Sequence, residues 1–247
     1  MKQASEILGV RFDFVDCPTV WDTIREWRAE GHKDYITLTP AISIMLCRRD
    51  EQLRSATMLA GLTLPDSVGV IVAARILGYP HRGRVPGPDL MLECCDWGRA
   101  EGYNHYFYGG APGVAERLAH SLCCKYPGLR VVGTYCPPFR DLSDDEDAAI
   151  LERINQVRPD IVWVGLGTPK QEKWMADHVR RVDATSLIGV GAAFDFHSGN
   201  IRRARPWIRS LGLEWAYRAA HDPGRWRRYI DIPRFILSVI EQRLNGL

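Results

Sequence analysis

Strand-like and helix-like runs alternate along most of this chain, and that alternation limits the folds open to it. Strand-like runs cover 10–16, 34–39, 104–109, 129–135, 160–165 and 186–191, and helix-like runs between them cover 19–29, 42–51, 68–77, 114–126 and 148–157. Strands separated by helices of about ten or more residues are typical of a parallel sheet. The pattern predicts an α/β fold with a Rossmann-like, mostly parallel sheet and helices on both faces. Right-handed crossovers would bring the strand-to-helix turns to one sheet edge, where such folds bind ligands.

One such turn, in the stretch VWVGLGTPKQEKWMADH (162–178), combines features of an anion site. Gly165 and Gly167 end an apolar run, and Pro169 suits the first turn of the helix that follows. The N–H groups and the dipole of a helix N-terminus favour a negatively charged ligand, and Lys170 and Gln171 add a positive charge and an amide there. A dinucleotide-binding GxGxxG pattern is incomplete, because Lys170 stands at the third glycine. An NAD-dependent oxidoreductase is therefore disfavoured.

Two aspartates are candidates for a catalytic base. Asp66 stands between Pro65, which ends an extended run, and the apolar helix predicted over 68–77. It is either the N-cap of that helix or a positioned base, and the two roles are compatible. Asp195 lies in AAFDFHSG between two phenylalanines, where a buried carboxylate bonded to loop N–H groups is the favoured interpretation. We interpret the neighbouring His197 as a loop residue.

The acidic run DDED (144–147) resembles the clusters with which many sugar-nucleotide enzymes bind a metal ion. Ser143 and Glu146 have the spacing of a capping box at the start of the helix that follows, which explains these acids without a metal. We therefore expect neither a metal nor another cofactor. Arg84, in HRGRVPGPD, is either part of a loop's structure or a phosphate contact.

The C-terminal segment differs in charge from the rest of the chain. From Arg202 onward there are ten arginines, no lysine and four acidic residues, a net charge of +6, whereas residues 1–201 carry −4. We predict an α/β catalytic domain over 1–201 and a basic, amphipathic, helical appendage over 202–247. Its arginines and tryptophans favour phosphates or an anionic membrane surface. No recognised nucleic-acid module accompanies them, so nucleic acid is not an expected partner.

The end of the appendage carries an apolar stripe. Phe235, Ile236, Val239, Ile240 and Leu244 are typical of either a helix that docks on the core or one that lies in the membrane interface, and tryptophans beside arginines favour the interface. No run approaches the ~18 apolar residues of a membrane span, and the N-terminus lacks the apolar block of a signal peptide. Seven cysteines without a CxxC pair are typical of reduced thiols and favour a cytoplasmic protein.

Several of these stretches together resemble the WecG/TagA/CpsF glycosyltransferases. The resemblance extends over about residues 8–245 and rests on 162–178, GVGAAFDFHSG (189–199), FYGGAPGVAERL (107–118), GTYCPPF (133–139) and the tail segment 203–229. It implies transfer of a sugar from a UDP-sugar to a polyprenyl-diphosphate-linked saccharide, with inversion and without a metal. It also implies a protein that is peripheral at the inner face of the plasma membrane. The best-known members transfer N-acetylmannosamine to the 4-hydroxyl of lipid-linked N-acetylglucosamine.

The resemblance also implies roles for individual residues. Asp66 matches the catalytic aspartate of the family, and Thr37 matches a threonine of its pocket. Arg84 and Gln171 match an arginine and a glutamine of the family's pocket, and Arg218, Arg225 and Arg228 match arginines of its C-terminal appendage. The full set of candidate substrate-binding residues is Thr39, Arg84, Gly165, Gly167, Lys170, Gln171, Glu172, Asp195, Arg218, Arg225 and Arg228. Thr39 and Ser67 stand where the family usually has asparagine and glycine. Because both positions would line the sugar pocket, the donor sugar is either N-acetylmannosamine or another hexose such as glucose.

A second class of function remains open at the level of sequence. The chain would then be a non-catalytic UDP-sugar-binding module of a polysaccharide assembly complex. Asp66 beside an intact Gln171 motif favours the enzyme. The expected partners are the UDP-sugar donor, the polyprenyl-diphosphate-linked acceptor and an anionic membrane surface, and a homo-oligomer is left open.

Overall fold

The computed structural model describes residues 5–210, 213–221 and 231–246. Its strands are β1 (Ser5–Ile7), β2 (Val10–Phe12), β3 (Asp34–Thr39), β4 (Leu62–Pro65), β5 (Asn104–Gly109), β6 (Arg130–Tyr135), β7 (Ile161–Gly165) and β8 (Ser186–Gly189). Its helices are α1 (Cys17–Glu30), α2 (Ala41–Cys47), α3 (Glu51–Met58), α4 (Val68–Leu77), α5 (Gly87–Glu101), α6 (Val114–Lys125), α7 (Asp144–Gln156), α8 (Lys170–His178), α9 (Ala193–His197), α10 (Pro206–Ser210), α11 (Glu214–His221) and α12 (Asp231–Asn245).

Six strands form one sheet in the order β4-β3-β8-β7-β5-β6. Every neighbouring pair is parallel, so the carboxyl ends of all six strands lie at the same edge. The predicted parallel α/β fold is confirmed. The chain leaves β5 toward β6 on one side and leaves β7 toward β8 on the other. The connections therefore diverge between β5 and β7, which is where open α/β sheets bind ligands.

The side chains of the strands alternate between two faces that are both covered by helices. Ile36 and Leu38 of β3 and Trp163 of β7 pack in one cluster with α1, α5 and α6. Tyr35 of β3 and Val162 of β7 pack on the opposite face with α7 and α8. Because both faces are buried, these strands are almost continuously apolar in the sequence.

The first predicted strand, 10–16, does not join the parallel sheet, and this prediction was wrong. Only Val10–Phe12 of this run forms a strand, and it pairs antiparallel with Ser5–Ile7. Between these strands Leu8 and Gly9 have positive φ angles of 50° and 83°, a tight reversal that folds the chain back on itself. A strand-like run by itself does not specify its partner, and here a local partner is available.

One predicted helix is confirmed in its bounds and another is shorter than predicted. Helix α4 spans Val68–Leu77 as predicted. The predicted helix 42–51 ends early, because α2 stops at Cys47 and a separate helix, α3, begins at Glu51. The Asp50 carboxylate accepts the Leu53 N–H at 3.0 Å and so caps the start of α3.

The C-terminal helix α12 docks on the core beside the N-terminal hairpin. Phe235 and Val239 are fully buried in an apolar cluster with residues of β1, β2, α2 and α4. Ile240 and Leu244 of the same predicted stripe are 40% and 66% exposed. Docking on the core therefore accounts for part of the stripe, while the rest lies at the surface. Within the described ranges, no helix is long and apolar enough to cross a membrane.

Polar contacts hold α12 at both ends. The two terminal nitrogens of Arg49 each lie 3.1 Å from an oxygen of Asp231, the first residue of the helix. Near the other end, Gln242 Oε1 accepts the Leu8 N–H at 2.9 Å and Gln242 Nε2 donates to the Glu6 carbonyl at 2.8 Å. The last helix is thereby joined to the first strands of the chain. The boundary at residue 202 stays a prediction.

Candidate active site

Buried threonines lie on one face of the adjacent strands β3 and β4. Thr37 and Thr39 share this face because they are two residues apart, and Thr63 is the register partner of Thr37. The Thr39 hydroxyl donates to Thr37 at 3.5 Å, and the Thr37 hydroxyl donates to Thr63 at 3.3 Å. Thr63 in turn donates to the Thr57 carbonyl at 3.0 Å. Sequence reasoning missed Thr63, although a polar residue within a buried strand opposite Thr37 was an available signal.

Asp66 lies at the carboxyl edge of the sheet, directly after β4. Its carboxylate oxygen Oδ1 accepts the N–H of Gly87, the first residue of α5, at 3.1 Å. The prediction that Asp66 caps α4 was wrong, because Ser67 is the N-cap residue of that helix. The half-buried carboxylate is held instead at the N-terminus of α5, where the helix dipole stabilises a negative charge.

The start of the predicted appendage is attached to this same helix, α5. Arg84, just before α5, donates from Nη2 to the Arg209 carbonyl at 2.9 Å. Asp89, in the first turn of α5, accepts hydrogen bonds from Arg203 and Arg209. Arg203 also pairs with Glu214 of α11 at 3.1 Å. Sequence reasoning missed Asp89 and Arg203, and the excess of arginine after residue 201 was the available signal.

The turn after β7 passes close to the turn after β5. A β-carbon on Gly109 would lie 2.5 Å from the carbonyl carbon of Gly165, and the Gly110 N–H donates to the Gly165 carbonyl at 3.1 Å. A β-carbon on Gly165 would lie 2.6 Å from the Phe194 ring. The contact between the two turns therefore leaves no room for a side chain at Gly109 or Gly165. The two glycine turns meet where the connections of the sheet diverge.

Helix α8 begins at Lys170, and its first turn folds back on the glycine turn. Gln171 Oε1 accepts the Gly167 N–H at 3.2 Å, and the Gln171 N–H donates to the Gly167 carbonyl at 3.0 Å. Glu172 Oε1 accepts from Gln171 Nε2 at 3.1 Å and from Thr168 Oγ1 at 2.8 Å. Gln171 and Glu172 are buried, whereas Lys170 is exposed. Burial raises the pKa of Glu172 above its ordinary value.

The backbone at the end of β8 and just after it packs against the side-chain amide of Gln171. A β-carbon on Gly189 would lie 3.1 Å from Gln171 Nε2, and one on Gly191 would lie 3.4 Å from Gln171 Oε1. Farther along, Asp195 is half-buried in α9, and its Oδ1 accepts from Asn200 Nδ2 at 2.8 Å. The predicted partners, loop N–H groups, are not its recorded hydrogen-bond donors, because this segment is helical and its backbone N–H groups bond within the helix.

The acidic run 144–147 and His197, both interpreted from the sequence as structural, contact neighbouring parts of the protein. Ser143 and Glu146 form both hydrogen bonds of the capping box, and hydrogen bonds from Arg140 lower the pKa of Glu146 to about 2. His197 is the last residue of α9 rather than a loop residue, and its Nε2 lies 2.8 Å from the Pro88 carbonyl. In the described part of the chain, no group of three or more His, Cys, Asp or Glu side chains is arranged to hold a metal ion.

The fold brings most of the predicted site residues to one edge of the sheet. Those at or near the carboxyl ends of the strands are Thr37, Thr39, Asp66, Gly165, Gly167, Lys170, Gln171, Glu172 and Asp195, and Arg84 precedes α5 beside them. Arg225, Arg228 and the side chain of Arg218 lie outside the described residues. The roles of all these residues in substrate binding stay predictions.

Comparison with known proteins gives one consistent result. The sequence model of the "Glycosyl transferase WecG/TagA/CpsF family" matches residues 5–247. Three similar proteins are each named N-acetylglucosaminyldiphosphoundecaprenol N-acetyl-beta-D-mannosaminyltransferase. That of Bacillus subtilis (strain 168) is 28% identical over 85% of this chain and 79% of its own length. That of Staphylococcus aureus (strain MW2) is 29% identical over 96% and 92%, and that of Bacillus spizizenii is 30% identical over 74% and 69%.

Proposed function

The chain belongs to the WecG/TagA/CpsF family of glycosyltransferases, and we propose that it transfers a sugar from a UDP-sugar to a polyprenyl-diphosphate-linked saccharide with inversion at the anomeric carbon. As a glycosyltransferase it acts in polysaccharide synthesis. The observation that carries the finer proposal is the Asp66 carboxylate, held by the Gly87 N–H at the same sheet edge as the glycine turn. The names of the relatives support a lipid-linked N-acetylglucosamine as acceptor.

In this proposal the UDP group occupies the crevice between β5 and β7. The close approach of Gly109 and Gly165 leaves backbone, not side chains, to line that crevice. Backbone N–H groups and the N-terminus of α8 suit a diphosphate, and the exposed Lys170 adds a positive charge there. The donor sugar then extends toward Gln171 and the threonines of β3.

Asp66 acts as the general base in the proposed reaction. Its carboxylate accepts the proton of the acceptor hydroxyl while the hydroxyl oxygen forms a bond to the anomeric carbon. The bond between that carbon and the UDP oxygen breaks, and its electron pair leaves with UDP. Attack from the face opposite UDP inverts the configuration. The hydrogen bond from Gly87 fixes the orientation of the carboxylate before the transfer.

The donor sugar is N-acetylmannosamine or another hexose. The relatives' names support the first, whereas Thr39 and Ser67 stand where the family usually has other residues. Release of UDP should be measured for a panel of UDP-sugars with a short-chain diphosphate-linked N-acetylglucosamine as acceptor. Acceptor-dependent release with one donor supports the transferase. Binding of UDP without release from any donor would favour the non-catalytic module instead.

Transfer should not depend on a divalent metal ion. Within the acidic run 144–147, Glu146 forms the capping box and pairs with Arg140, and Asp147 pairs with Arg181. Arginines of the appendage, with Arg225 and Arg228 foremost, would neutralise the leaving diphosphate in the role that a metal has elsewhere. The rate of UDP release should therefore be the same with and without EDTA. Loss of activity in EDTA that magnesium or manganese restores would contradict this.

We further propose that the appendage covers the donor and contacts the membrane. It has a charge of +6, and Trp207, Trp215 and Leu237 are 59%, 41% and 61% exposed. Each arginine near an anionic leaflet contributes about 1 kcal/mol to the free energy of membrane binding, and salt screens this attraction. The ion pair between Arg203 and Asp89 attaches the appendage to α5, the helix whose first N–H binds Asp66. This attachment favours a position of the appendage near the donor.

Binding of the protein to vesicles that contain anionic lipid should fall as sodium chloride is added. Arg225→Ala and Arg228→Ala should lower turnover with a water-soluble acceptor more than they lower vesicle binding, if these side chains reach the diphosphate. Arg54→Ala is a matched control, because Arg54 is exposed on α3 and pairs with Glu51 in its own helix. Full turnover in both tail variants would rule out the cover over the donor, and salt-independent vesicle binding would rule out the electrostatic contact.

A further inference from the structure

Glu172 is a carboxyl group buried next to the turn proposed to bind the donor. It is 2% exposed, and its recorded hydrogen-bond donors, Thr168 and Gln171, are both neutral side chains. Its second oxygen, Oε2, has no hydrogen-bond partner among the described residues. Burial of a carboxylate among neutral partners costs free energy and raises the pKa of Glu172. Oε1 can accept both hydrogen bonds whether the group is ionised or neutral.

The contacts of Glu172 form a chain that ends at the glycine turn. Gln171 and Gly167 are joined twice, because the backbone of each donates to an acceptor on the other. Glu172 accepts a hydrogen bond from the side-chain amide of Gln171, the same amide whose oxygen accepts the Gly167 N–H. Its Oε1 also accepts the hydroxyl hydrogen of Thr168, the residue between the turn and Pro169. One oxygen atom therefore restrains both the side chain that closes the turn and the turn itself.

The acceptor at Glu172 also decides which way the Gln171 amide faces. Gln171 needs its oxygen toward the Gly167 N–H and its nitrogen toward Glu172 Oε1, so a flipped amide would lose both hydrogen bonds. The amide also lies close to Gly189 and Gly191, where an added β-carbon would be 3.1 Å from its nitrogen and 3.4 Å from its oxygen. The amide nitrogen carries a second hydrogen beyond the one given to Glu172, and its direction is set by the first.

We propose that Glu172 is a positioning residue for the donor site: it orders the turn 165–171 and orients the Gln171 amide without contacting the donor itself. This deepens the proposed function and rests on it, since the turn is taken to bind the UDP-sugar. A turn that is already ordered loses less conformational entropy when the donor binds. The effect of removing Glu172 should thus be seen in donor affinity more than in the chemical step.

Two substitutions separate this role from a requirement for negative charge. Glu172→Gln keeps a carbonyl oxygen at Oε1 and matches the neutral acid in shape. Glu172→Ala removes the acceptor and leaves the Gln171 nitrogen and the Thr168 hydroxyl without it. We expect Glu172→Ala to raise the dissociation constant for UDP and the donor KM by roughly 10-fold, with a smaller change in kcat. Glu172→Gln should stay within about 3-fold of the wild type, because the acceptor is retained.

UDP binding should be measured by calorimetry on the full chain, with thermal unfolding in parallel. Asp177→Asn is the matched control, since it removes an acidic group from an exposed position of the same helix and should leave UDP affinity unchanged. A role in folding alone would lower the melting temperature and the fraction of active protein, yet leave the dissociation constant of the folded protein unchanged. Such a result for Glu172→Ala would overturn the proposal, as would a Glu172→Gln variant as weak as Glu172→Ala.

A third variant covers the case in which Glu172→Ala does not fold. Thr168→Val removes the hydroxyl that bonds to Glu172 and should weaken UDP binding in the same direction, by less. If Glu172→Ala does fold, the double variant should bind no more weakly than Glu172→Ala alone, because both act through one contact. Unchanged UDP affinity in Thr168→Val alongside an unfolded Glu172→Ala would overturn the proposal. Failure of the wild type to bind UDP would instead contradict the proposed donor, and this inference with it.

Discussion

Asp66→Asn should lower the turnover number by about 10²–10⁴-fold and leave UDP affinity within a few-fold of the wild type. Asparagine cannot accept the proton of the acceptor hydroxyl. Its side-chain oxygen can still accept the Gly87 N–H that Asp66 accepts at 3.1 Å, so the local backbone should be preserved. Initial rates of UDP release and calorimetric titration with UDP measure the two quantities separately.

Asp195→Asn is the control for this substitution. Asp195 is another carboxylate on the carboxyl side of the sheet. Its side chain accepts a hydrogen bond from the Asn200 amide, and a role in proton transfer would show as a comparable loss of turnover. We expect the loss in Asp66→Asn to be much larger. Near-normal turnover in Asp66→Asn with a large loss in Asp195→Asn would move the general base to Asp195.

Phe235→Ala should lower the free energy of unfolding by about 3–5 kcal/mol. The ring is fully buried in a cluster that includes Ile7, Val10, Ile44 and Val70, from the hairpin and from α2 and α4. Its removal would leave a cavity at the junction between both ends of the chain. Urea unfolding followed by circular dichroism gives the free energy.

Leu237→Ala, on the same helix, should change the free energy of unfolding by no more than about 0.5 kcal/mol, because Leu237 is 61% exposed. Equal, small effects in both variants would show that α12 does not dock.

Because Phe235 and Val239 are buried, deletion of the tail would also disturb the core of the catalytic domain. Deletion of 202–247 would expose their apolar partners, so loss of transfer in such a protein would not isolate a cover over the donor, whereas single arginine substitutions do.

Much of the fold could be predicted because its pattern is local. Strands buried on both faces must be apolar, and β5 over Asn104–Gly109 and α4 over Val68–Leu77 have the predicted bounds. The antiparallel pairing of Val10–Phe12 was missed, because its partner, Ser5–Ile7, is a strand of only three residues, which is too short to show a periodic pattern. The start of a separate helix at Glu51 was open to prediction, since Asp50 is a favourable N-cap residue.

The sequence by itself determined that this chain forms a parallel α/β sheet and that its glycine turns, Asp66 and Thr37 come to one edge of it. It did so because strand period, helix length and turn residues are properties of short segments, and parallel connections put all carboxyl ends together. Only the tertiary structure decided the partners of the polar side chains: the Gly87 N–H for Asp66, the turn for Glu172, and the core for Phe235. Those partners either lie on other elements or depend on how a turn closes. Whether two groups form a hydrogen bond, or a ring becomes buried, depends on distances in the folded chain, and a local sequence pattern does not give those distances.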